Sequence, residues 1–331
     1  MGYRVAILGA TGAVGRQMVK ILCEKDLQIS QLALLSSKRS VGTEFEYKGE
    51  KICTREADGE DFSKYDFVLG AVDASISKKY SPYIRRAGAI FIDNSSAFRM
   101  ADDVPLVIPS INPDDAMRHS GIISNPNCST IIALTAVNAI NELSPICSMI
   151  VSTYQAVSGA GNAGINELLE QQRQMLCKET VKANVFPYQI AENLIPKIGD
   201  ANDDGYTAEE MKMQNEARKI FHSNDLSVTC TCVRVPIVRS HSMSISVFTK
   251  SKISPSAARA AISMKKDCVL CDDVSANIYP MPILSSDKDD VLVGRIRDDL
   301  TMQNGIVLFC CGDQIRRGAA TNAIEIMELL M

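Results

Sequence analysis

The chain has 331 residues, enough for two domains that each bury a core of their own. Its composition is 46% hydrophobic and 22% charged, and its net charge of -4 gives no reason to expect nucleic acid or an anionic membrane surface as a partner. No apolar run approaches the roughly 18–20 residues that span a bilayer. The first residues form a strand pattern that leaves no room for a signal peptide.

The first third of the chain alternates strand-like and helix-like patterns. Six short apolar runs are typical of parallel strands buried on both faces: residues 4–8, 31–35, 67–72, 89–93, 105–109 and 121–124. Polar or amphipathic stretches separate these runs, and the clearest helix pattern covers residues 13–25. This order predicts an α/β fold whose first domain is doubly wound and of the Rossmann type.

The glycine-rich segment "GATGAVG" (9–15) follows the first predicted strand and opens the first predicted helix. In that context glycines allow a tight turn and a close approach of the backbone to a pyrophosphate, which the helix N-terminus also attracts. The spacing is G-x-x-G-x-x-G rather than the commoner G-x-G-x-x-G, and a plain strand–helix turn is the alternative. We interpret the segment as a dinucleotide-binding loop.

The end of the second predicted strand indicates which dinucleotide is bound. NAD enzymes usually place an Asp or Glu there for the ribose hydroxyls. This chain has Ser37, Lys38 and Arg39 instead, and no acid. An acid would repel a 2′-phosphate, whereas these residues would attract one. The sequence therefore favours NADP over NAD, with a solvated basic loop as the alternative.

The segment "SNPNCST" (124–130) raises the possibility of a reactive cysteine. Asn-Pro ends the preceding strand, and a helix pattern then runs from Ile131 to Leu143. Asn127 is a natural N-cap, which would put Cys128 in the first turn. Unpaired backbone N–H groups and the helix dipole would stabilise a thiolate there. These residues alone leave open whether Cys128 is a nucleophile or a small buried hydrophobic residue.

The remaining cysteines have no comparable setting. The chain has eleven, which lie among apolar residues without the spacing of a disulfide framework, so we expect reduced thiols and a cytoplasmic protein. The CxxC at residues 268–271 has neither a second pair nor a neighbouring His, and packing is a better interpretation of it than metal or redox use. No metal is expected.

Beyond the first helix after Cys128 the pattern changes to longer strands. The strand-like stretches are residues 146–159, 225–238 and 241–250, the last of which alternates strictly. They predict a second α+β domain with an antiparallel or mixed sheet. The final helical segment could return to the first domain, which gives boundaries of 1–128 plus 316–331 for the first domain and 129–315 for the second.

Two polar residues share faces with apolar ones in these strands. Alternation puts Arg234 on the same face as Cys230 and Cys232, and His241 on the face of Met243. Arg234 needs a partner because unpaired buried charge is costly. That partner is either a structural carboxylate or a substrate carboxylate bound through two hydrogen bonds. For His241, a hydrogen-bonded core residue is the alternative to a functional one.

The segment 207–222 predicts a helix that starts with a capping box formed by Thr207 and Glu210. Four charged residues recur along one side of it: Glu209, Lys212, Glu216 and Lys219. From the pattern alone we interpret this side as a solvated face with ion pairs.

Taken together, these motifs resemble the aspartate-β-semialdehyde dehydrogenase family across essentially the whole chain. The matching stretches include "AILGATGAVG", "SSKRSVG", "FIDNSSAFRM", "SNPNCST", "YQAVSGAGNAGINEL", "EEMKMQNEARKI", "VRVPIVRSHS" and "RRGAATNA". The family reaction is the reductive dephosphorylation of L-aspartyl-4-phosphate by NADPH, on the route to lysine, threonine and methionine. The resemblance also implies a homodimer or homotetramer, with residues 129–315 forming the substrate-binding and dimerisation domain.

The resemblance implies roles for the catalytic residues. Cys128 is the nucleophile, which forms a thioester acyl-enzyme as phosphate leaves. His241 is the acid/base that serves the thiohemiacetal, and Gln155 positions the reacting group. The chemistry is consistent with these types, because a thioester accepts hydride far more readily than a carboxylate does.

The same resemblance implies how substrate and cofactor are bound. Arg234 binds the α-carboxylate, Glu209 pairs with the α-amino group, and Arg99 and Lys212 bind phosphate. The residues implied to contact NADP are Gly9, Thr11, Gly12, Val14, Gly15, Ser37, Arg39, Ser158, Gly159 and Asn322. An acyl phosphate carries a carboxylate, an ammonium group and a phosphate, so it requires both cations and an anion in its site.

The chain departs from the family pattern at a few positions. Asp73 and Ala74 stand where a Gly-Gly pair is common, and Ser110 stands where a Glu is usual. Fewer positions in the first of these segments can adopt φ > 0 or let a cofactor approach closely. None of the departures removes an implied catalytic residue.

Two alternatives remain at this level. N-acetyl-γ-glutamyl-phosphate reductases share the fold and chemistry, but their cysteine motif resembles "NPGCYAT", and an acetylated amine has no need of Glu209 as a counter-charge. A non-catalytic NADP-binding relative belongs to a different class. The presence of Cys128, Gln155, Arg234 and His241 together argues against it.

Overall fold

The computed structural model describes residues 2–331, which form two compact units. One runs to Asn127 and also includes Ala319–Met331, and the other is Cys128–Gly318. The boundaries drawn from the sequence had put Cys128 and residues 316–318 in the first of them.

The first unit contains a doubly wound parallel sheet, as predicted. Its strands and helices in chain order are β1 (Tyr3–Leu8), α1 (Ala13–Glu24), β2 (Ile29–Ser36), β3 (Glu44–Tyr47), β4 (Glu50–Cys53), β5 (Arg55–Glu56), β6 (Phe67–Gly70), α2 (Ala74–Arg86), β7 (Ile90–Asp93), β8 (Ile122–Ser124) and, after the second unit, α8 (Asn322–Glu328). The sheet order is β5-β2-β1-β6-β7-β8, with every pairing parallel, and β3 and β4 form a separate antiparallel hairpin.

Burial on both faces explains why the strands of this sheet have continuous apolar runs. Along β1, Val5 and Ile7 join a core cluster that also contains residues of α1 and α8. Ala6 and Leu8 point the other way, into a cluster that contains Ile84 of α2. A strand with both faces covered has no polar side, so it shows no alternation.

One predicted strand is wrong. Residues 105–109 form no ladder, and they contribute a single isolated bridge between Leu106 and Ser124. The run begins and ends with proline, which has no N–H to donate to a ladder. Its apolar side chains are nevertheless buried, Val107 and Ile108 completely. The pattern reported burial rather than strand pairing.

The second unit contains a mixed sheet, also as predicted. Its elements in chain order are α3 (Cys128–Leu143), β9 (Ile146–Gln155), α4 (Gly161–Leu176), α5 (Ala208–Ile220), β10 (Ser227–Arg234), β11 (His241–Thr249), α6 (Pro255–Ser263), β12 (Cys268–Leu270), α7 (Pro282–Ser285), β13 (Val291–Asp298) and β14 (Gly305–Gly312). The order is β10-β9-β11-β14-β13-β12, in which only the two edge pairs, β10–β9 and β12–β13, are parallel.

The two faces of this sheet differ. In β11 the side chains of Met243, Ile245 and Val247 are fully buried, and α3, which is buried almost all round, packs against β11, β13 and β14. On the opposite face Ile150 is 50% exposed and Tyr154 is 36% exposed. Among residues 2–331 no helix is long and apolar enough to cross a membrane.

Candidate active site

Cys128 is the first residue of α3 and is half-buried. The amino end of a long helix carries a positive partial charge, which favours a thiolate. Other cysteines are in a different setting. Burial raises the pKa of the thiols of Cys268, Cys310 and Cys311, which keeps them protonated and inert.

A glycine approaches the first residue of α3 closely. Residues Arg316–Thr321 form a π-helical turn, a feature often found at functional sites. A Cβ added at Gly318 would lie 2.8 Å from the Cβ of Cys128 and 3.2 Å from its Cα. Any side chain at position 318 would therefore displace Cys128.

His241, at the start of β11, is fully buried. Its Nδ1 accepts a hydrogen bond from the backbone N–H of Ala156 at 3.1 Å, whereas Nε2 has no partner among the described residues. Nδ1 must therefore be unprotonated, and the neutral ring carries its proton on Nε2. Burial, and to a smaller extent the charge of Arg234, lowers the pKa of His241 to about 3, while Glu209 acts in the opposite direction.

This lowered pKa predicts an acid-sensitive fold. Unfolded His241 would bind a proton near pH 6.5 and folded His241 only near pH 3, so stability falls as the pH drops through that window. The loss should reach up to about 1.4 kcal/mol per pH unit. We expect the free energy of unfolding, measured in urea between pH 7 and pH 4.5, to fall less steeply with decreasing pH in His241→Asn than in the native chain. His222→Asn is the control. The same pH dependence of unfolding free energy in His241→Asn and in the native chain would contradict the lowered pKa of His241.

Gln155, at the end of β9, joins two other elements. Its Nε2 donates to Ser129 Oγ at 2.7 Å and to Glu209 Oε1 at 3.1 Å, and Glu209 Oε2 accepts from Lys212 Nζ at 2.8 Å. Because both donor directions are used, the orientation of the amide is fixed. Gln155 Oε1 is buried without a partner among the described residues, so it is available as an acceptor.

Arg234, at the end of β10, is 7% exposed and has its predicted burial. Its Nη1 donates to Ala156 O at 2.7 Å. Burial lowers the pKa of Arg234, while electrostatic interactions with Cys128 and Glu209 raise it. A Cβ added at Gly159 would lie 2.7 Å from Arg234 Nη1. The guanidinium is thus close-packed, and it lies within electrostatic reach of a thiol and a carboxylate.

The structure corrects the interpretation of the charged side of α5. The capping box of Thr207 and Glu210 forms as predicted. However, Glu216 is only 1% exposed and the Glu209 side chain only 11% exposed. The stripe is therefore not a solvated face, and Glu209 with Lys212 belongs to the network of Gln155.

In the first unit, Arg99 is 7% exposed and is held by backbone oxygens. Its Nε donates to Asn125 O at 2.9 Å, and its Nη2 donates to Asn94 O at 2.7 Å. The turn that leads to Arg99 is organised by Asp93, whose carboxylate accepts from the hydroxyl and the backbone N–H of Ser95. Burial raises the pKa of Asp93.

The glycine-rich loop and the basic segment line one cavity of about 700 Å³ in the first unit. Of the predicted cofactor residues, the lining includes Gly9, Thr11, Gly12, Ser37 and Arg39. This is the setting that the carboxyl ends of β1 and β2 provide for a dinucleotide in a doubly wound fold.

Two of the loop glycines are required by geometry. Gly9 has φ +90°, and a Cβ there would lie 2.5 Å from the carbonyl oxygen of Ala71. A Cβ at Gly15 would lie 2.3 Å from the oxygen of Gly9, so Gly15 lets α1 pack on the loop rather than lining the cavity. Asp73, where the family commonly has glycine, caps α2 by accepting from the N–H groups of Ser75 and Ile76.

Gln314 is a site residue that the sequence did not indicate. Its Nε2 donates to the hydroxyl of Ser158, and its Oε1 accepts from the backbone N–H of Ser240 at 2.8 Å. Ser240 has φ +74° and immediately precedes His241. Gln314 follows β14 in the segment "CCGDQIRRG", and no pattern there signals its partners. The sequence pattern likewise did not indicate Ser129, because its partner Gln155 is distant in the chain.

Asn322 links two segments of the first unit through its side-chain amide. It is fully buried, and its Nδ2 donates to Val107 O at 3.0 Å and to Asn125 Oδ1 at 2.7 Å. Both donor directions of the amide are therefore used within the unit. Across residues 2–331, no group of three or more His, Cys, Asp or Glu side chains is placed to hold a metal ion.

This chain is similar to known proteins along nearly its whole length. Residues 4–119 match the family model "Semialdehyde dehydrogenase, NAD binding domain", and residues 138–317 match "Semialdehyde dehydrogenase, dimerisation domain". The chain is 44% identical to an aspartate-semialdehyde dehydrogenase of Synechocystis sp., covering 99% of this chain and 97% of the relative. It is 45% identical to that of Aquifex aeolicus, covering 100% and 98%.

Among solved structures, the chain resembles aspartate semialdehyde dehydrogenase II from Vibrio cholerae complexed with ASA. The TM-score is 0.98 at 39% identity, covering 100% of this chain and 98% of that one. Full-length similarity at this level, together with both domain matches, shows the family. The chain belongs to the aspartate-semialdehyde dehydrogenases.

Proposed function

We propose that this protein converts L-aspartyl-4-phosphate and NADPH to L-aspartate-4-semialdehyde, NADP and phosphate, a step towards lysine, threonine and methionine. The observation that carries the proposal is that Gln155 Nε2 bridges Ser129, the neighbour of Cys128, and Glu209, while the buried Arg234 lies opposite Gln155 in the β9–β10 pair. A cation, an anion and a nucleophile are the groups that an α-amino acid with a reactive side-chain carbonyl requires.

In the first chemical step, the Cys128 thiolate attacks the acyl carbon, and phosphate leaves with the electron pair of the C–O bond. The product is a thioester. Backbone N–H groups at the start of α3 supply donors for the tetrahedral oxyanion that precedes it. Arg234 binds the α-carboxylate and Glu209 the α-ammonium, which replaces part of the pairing of Glu209 with Lys212. Arg99 and Lys212 bind the phosphate.

In the second step, the thioester carbon would accept a hydride, which is the chemistry that NADPH supplies when bound. His241 presents Nε2–H, which is the donor that the resulting oxyanion needs. Protonation of its Nδ1 would break the hydrogen bond from Ala156. The acid/base role implied by the resemblance therefore requires the ring to release that bond. The thiohemiacetal then loses its proton and expels the Cys128 thiolate, which yields the aldehyde.

NADP is the cofactor we propose for the cavity of the first unit. No acid stands at the end of β2, and Arg39 and Lys38 line the cavity there. Asp58 lines the same cavity but is paired with Lys79 and accepts from the Tyr80 hydroxyl. These hydrogen bonds from Lys79 and Tyr80 lower the pKa of Asp58. We propose that Ser37 also contributes to this preference. The family resemblance further implies cofactor contacts at Ser158 and Gly159.

Arg39→Ala tests this preference. Loss of a charge-assisted contact to the 2′-phosphate should raise the KM for NADPH roughly 10- to 100-fold, with little change for NADH. Lys51→Ala is the matched control, since that side chain is 77% exposed on the β3–β4 hairpin. Equal effects of Arg39→Ala on both cofactors would contradict the assignment.

For the assembly, we propose a homodimer or homotetramer formed through the half-exposed face of the second sheet. That face carries Ile150, Tyr154 and Phe309, the last two with ring centroids 6.2 Å apart, and it lies within the matched dimerisation domain. Sedimentation equilibrium at micromolar concentration measures the assembly, and a monomer would contradict it.

We propose a cytoplasmic location, which fits the free cysteines and which cell fractionation tests.

The function itself is tested by the reverse reaction. We expect L-aspartate semialdehyde to reduce NADP with continuing turnover only when phosphate is present, because phosphate must release the acyl group from Cys128 before a second cycle can begin. N-acetyl-glutamate semialdehyde is the comparison substrate, and it should be inactive because its amine cannot pair with Glu209. Turnover that does not depend on phosphate, or a preference for the acetylated substrate, would refute the proposal.

A further inference from the structure

Residues 182–191, which we call the strap, form neither helix nor strand. The strap is nevertheless fastened by hydrogen bonds from α4. Glu167, Gln171 and Gln174 recur at spacings of four and three residues, which puts them on one side of that helix. All three are at least nine-tenths buried. A segment without a backbone ladder is thus ordered by side chains.

Glu167 holds the middle of the strap. Its Oε2 accepts from the backbone N–H of Asn184 at 2.7 Å and from that of Val185, and its Oε1 accepts from that of Phe186 at 3.1 Å. Hydrogen bonds from N–H groups to a carboxylate are about twice as strong as neutral ones. Three successive backbone donors converge on one side chain, so the conformation of this part of the strap depends on Glu167.

Gln171 and Gln174 hold the two ends. Gln171 Oε1 accepts from the N–H groups of Ile190 and Ala191 at 2.8 and 3.0 Å, and its Nε2 donates to Lys182 O at 3.0 Å. Gln174 Oε1 accepts from Lys182 N–H at 3.0 Å. Both ends of the strap are therefore fixed to the same side of α4.

The strap places Phe186 next to Arg234, the residue that we propose binds the substrate α-carboxylate. The guanidinium carbon of Arg234 lies 5.9 Å from the centre of the Phe186 ring. Just beyond the strap, Ile195 exchanges two backbone hydrogen bonds with Arg234, at 2.9 and 3.0 Å. A Cβ added at Gly164 would lie 3.1 Å from Phe186 Cζ, so α4 leaves room for the ring.

We propose that Phe186 is a positioning residue for Arg234 and that the Glu167-fastened strap holds it there. An aromatic face near a guanidinium attracts it electrostatically and restricts its rotation. The Arg234 side chain then presents a fixed fork to a carboxylate. This inference rests on the proposed role of Arg234 in binding the substrate α-carboxylate, and it adds a determinant of substrate affinity that lies outside the residues that touch substrate.

Three variants at Phe186 test the contact by steady-state kinetics. Phe186→Ala should raise the KM for aspartate semialdehyde about 5- to 30-fold and change kcat less than about twofold, as expected for a cation–π contact between partly desolvated groups. Phe186→Tyr should restore the native KM, and Phe186→Leu should not. The KM values for NADP and phosphate should stay unchanged. A uniform loss of kcat, or rescue by Leu equal to rescue by Tyr, would indicate a packing role and overturn the proposal.

Hydrogen exchange tests the strap independently of activity. In Glu167→Gln, an amide nitrogen replaces one acceptor oxygen and faces a backbone donor. We expect exchange at Asn184, Val185 and Phe186 to accelerate at least tenfold, with the same KM increase as in Phe186→Ala. Glu179→Gln, whose carboxylate pairs with Arg173, is the control. Unchanged exchange in Glu167→Gln refutes the strap. If exchange accelerates in Glu167→Gln but the native protein has no activity on aspartate semialdehyde, the strap stands and the proposed function is refuted.

Discussion

Cys128→Ala is expected to abolish turnover, by at least about a thousandfold, while binding of NADP and the melting temperature stay close to native. The reaction passes through an acyl group on this sulfur, and no other group can take its place in the path. Cys128→Ser should be nearly as inactive, because a hydroxyl in this position is a much weaker nucleophile at neutral pH. Activity is measured as phosphate-dependent reduction of NADP by aspartate semialdehyde.

The control for this prediction is Cys230→Ala. Cys230 is buried in β10 with its sulfur 3.7 Å from that of Cys232, and this neighbouring thiol and burial raise its pKa, so it is not a nucleophile. Its removal should leave turnover near native. Retention of more than a tenth of the activity in Cys128→Ala, or loss of activity in Cys230→Ala, would contradict the assignment of the nucleophile.

His241→Asn and His241→Gln should separate the two nitrogens of the ring. In Asn the side-chain oxygen can replace Nδ1 and accept from Ala156, but nothing replaces Nε2–H. We expect turnover to fall roughly 100- to 1,000-fold with the fold intact. In Gln the amide nitrogen can replace the Nε2–H donor, but the N–H of Ala156 is left without an acceptor, which costs about 1–3 kcal/mol of stability.

The comparison between these variants decides the role of the ring. If hydrogen bonding to the oxyanion is its main contribution, His241→Gln should be at least tenfold more active than His241→Asn. Equal loss in both variants would mean that full proton transfer is required and that the ring leaves Ala156 during turnover. Native turnover in His241→Asn would make His241 a core residue with no catalytic part.

Several features of the site were predictable because they depend on periodicity or on local geometry. Strand parity alone put Arg234 and His241 on buried faces, and both are buried. The break at Asn-Pro predicted a helix start at Cys128, and α3 begins there. The glycine spacing after β1 predicted the loop that lines the cavity. Each of these patterns spans only a few residues, so the sequence reports it directly.

Other features could not be predicted because they depend on partners far away in the chain. The strap has no secondary structure, and its fastening comes from α4 side chains up to twenty residues earlier. Gln314 meets Ser158 across 156 positions. Glu216 looked solvated because a helix pattern does not show what packs against each side. Residues 105–109 were predicted to be a strand because a buried apolar segment has the same sequence pattern whether or not its backbone pairs with a neighbouring strand.

The most direct measurement is the fate of the acyl group when phosphate is withheld. Mixing the native enzyme with aspartate semialdehyde and NADP in phosphate-free buffer should produce a burst of one NADPH per subunit. Mass spectrometry of the quenched protein should then find one aspartyl group, on the peptide that carries Cys128. Absence of the burst, or an acyl group on any other residue, would contradict the account.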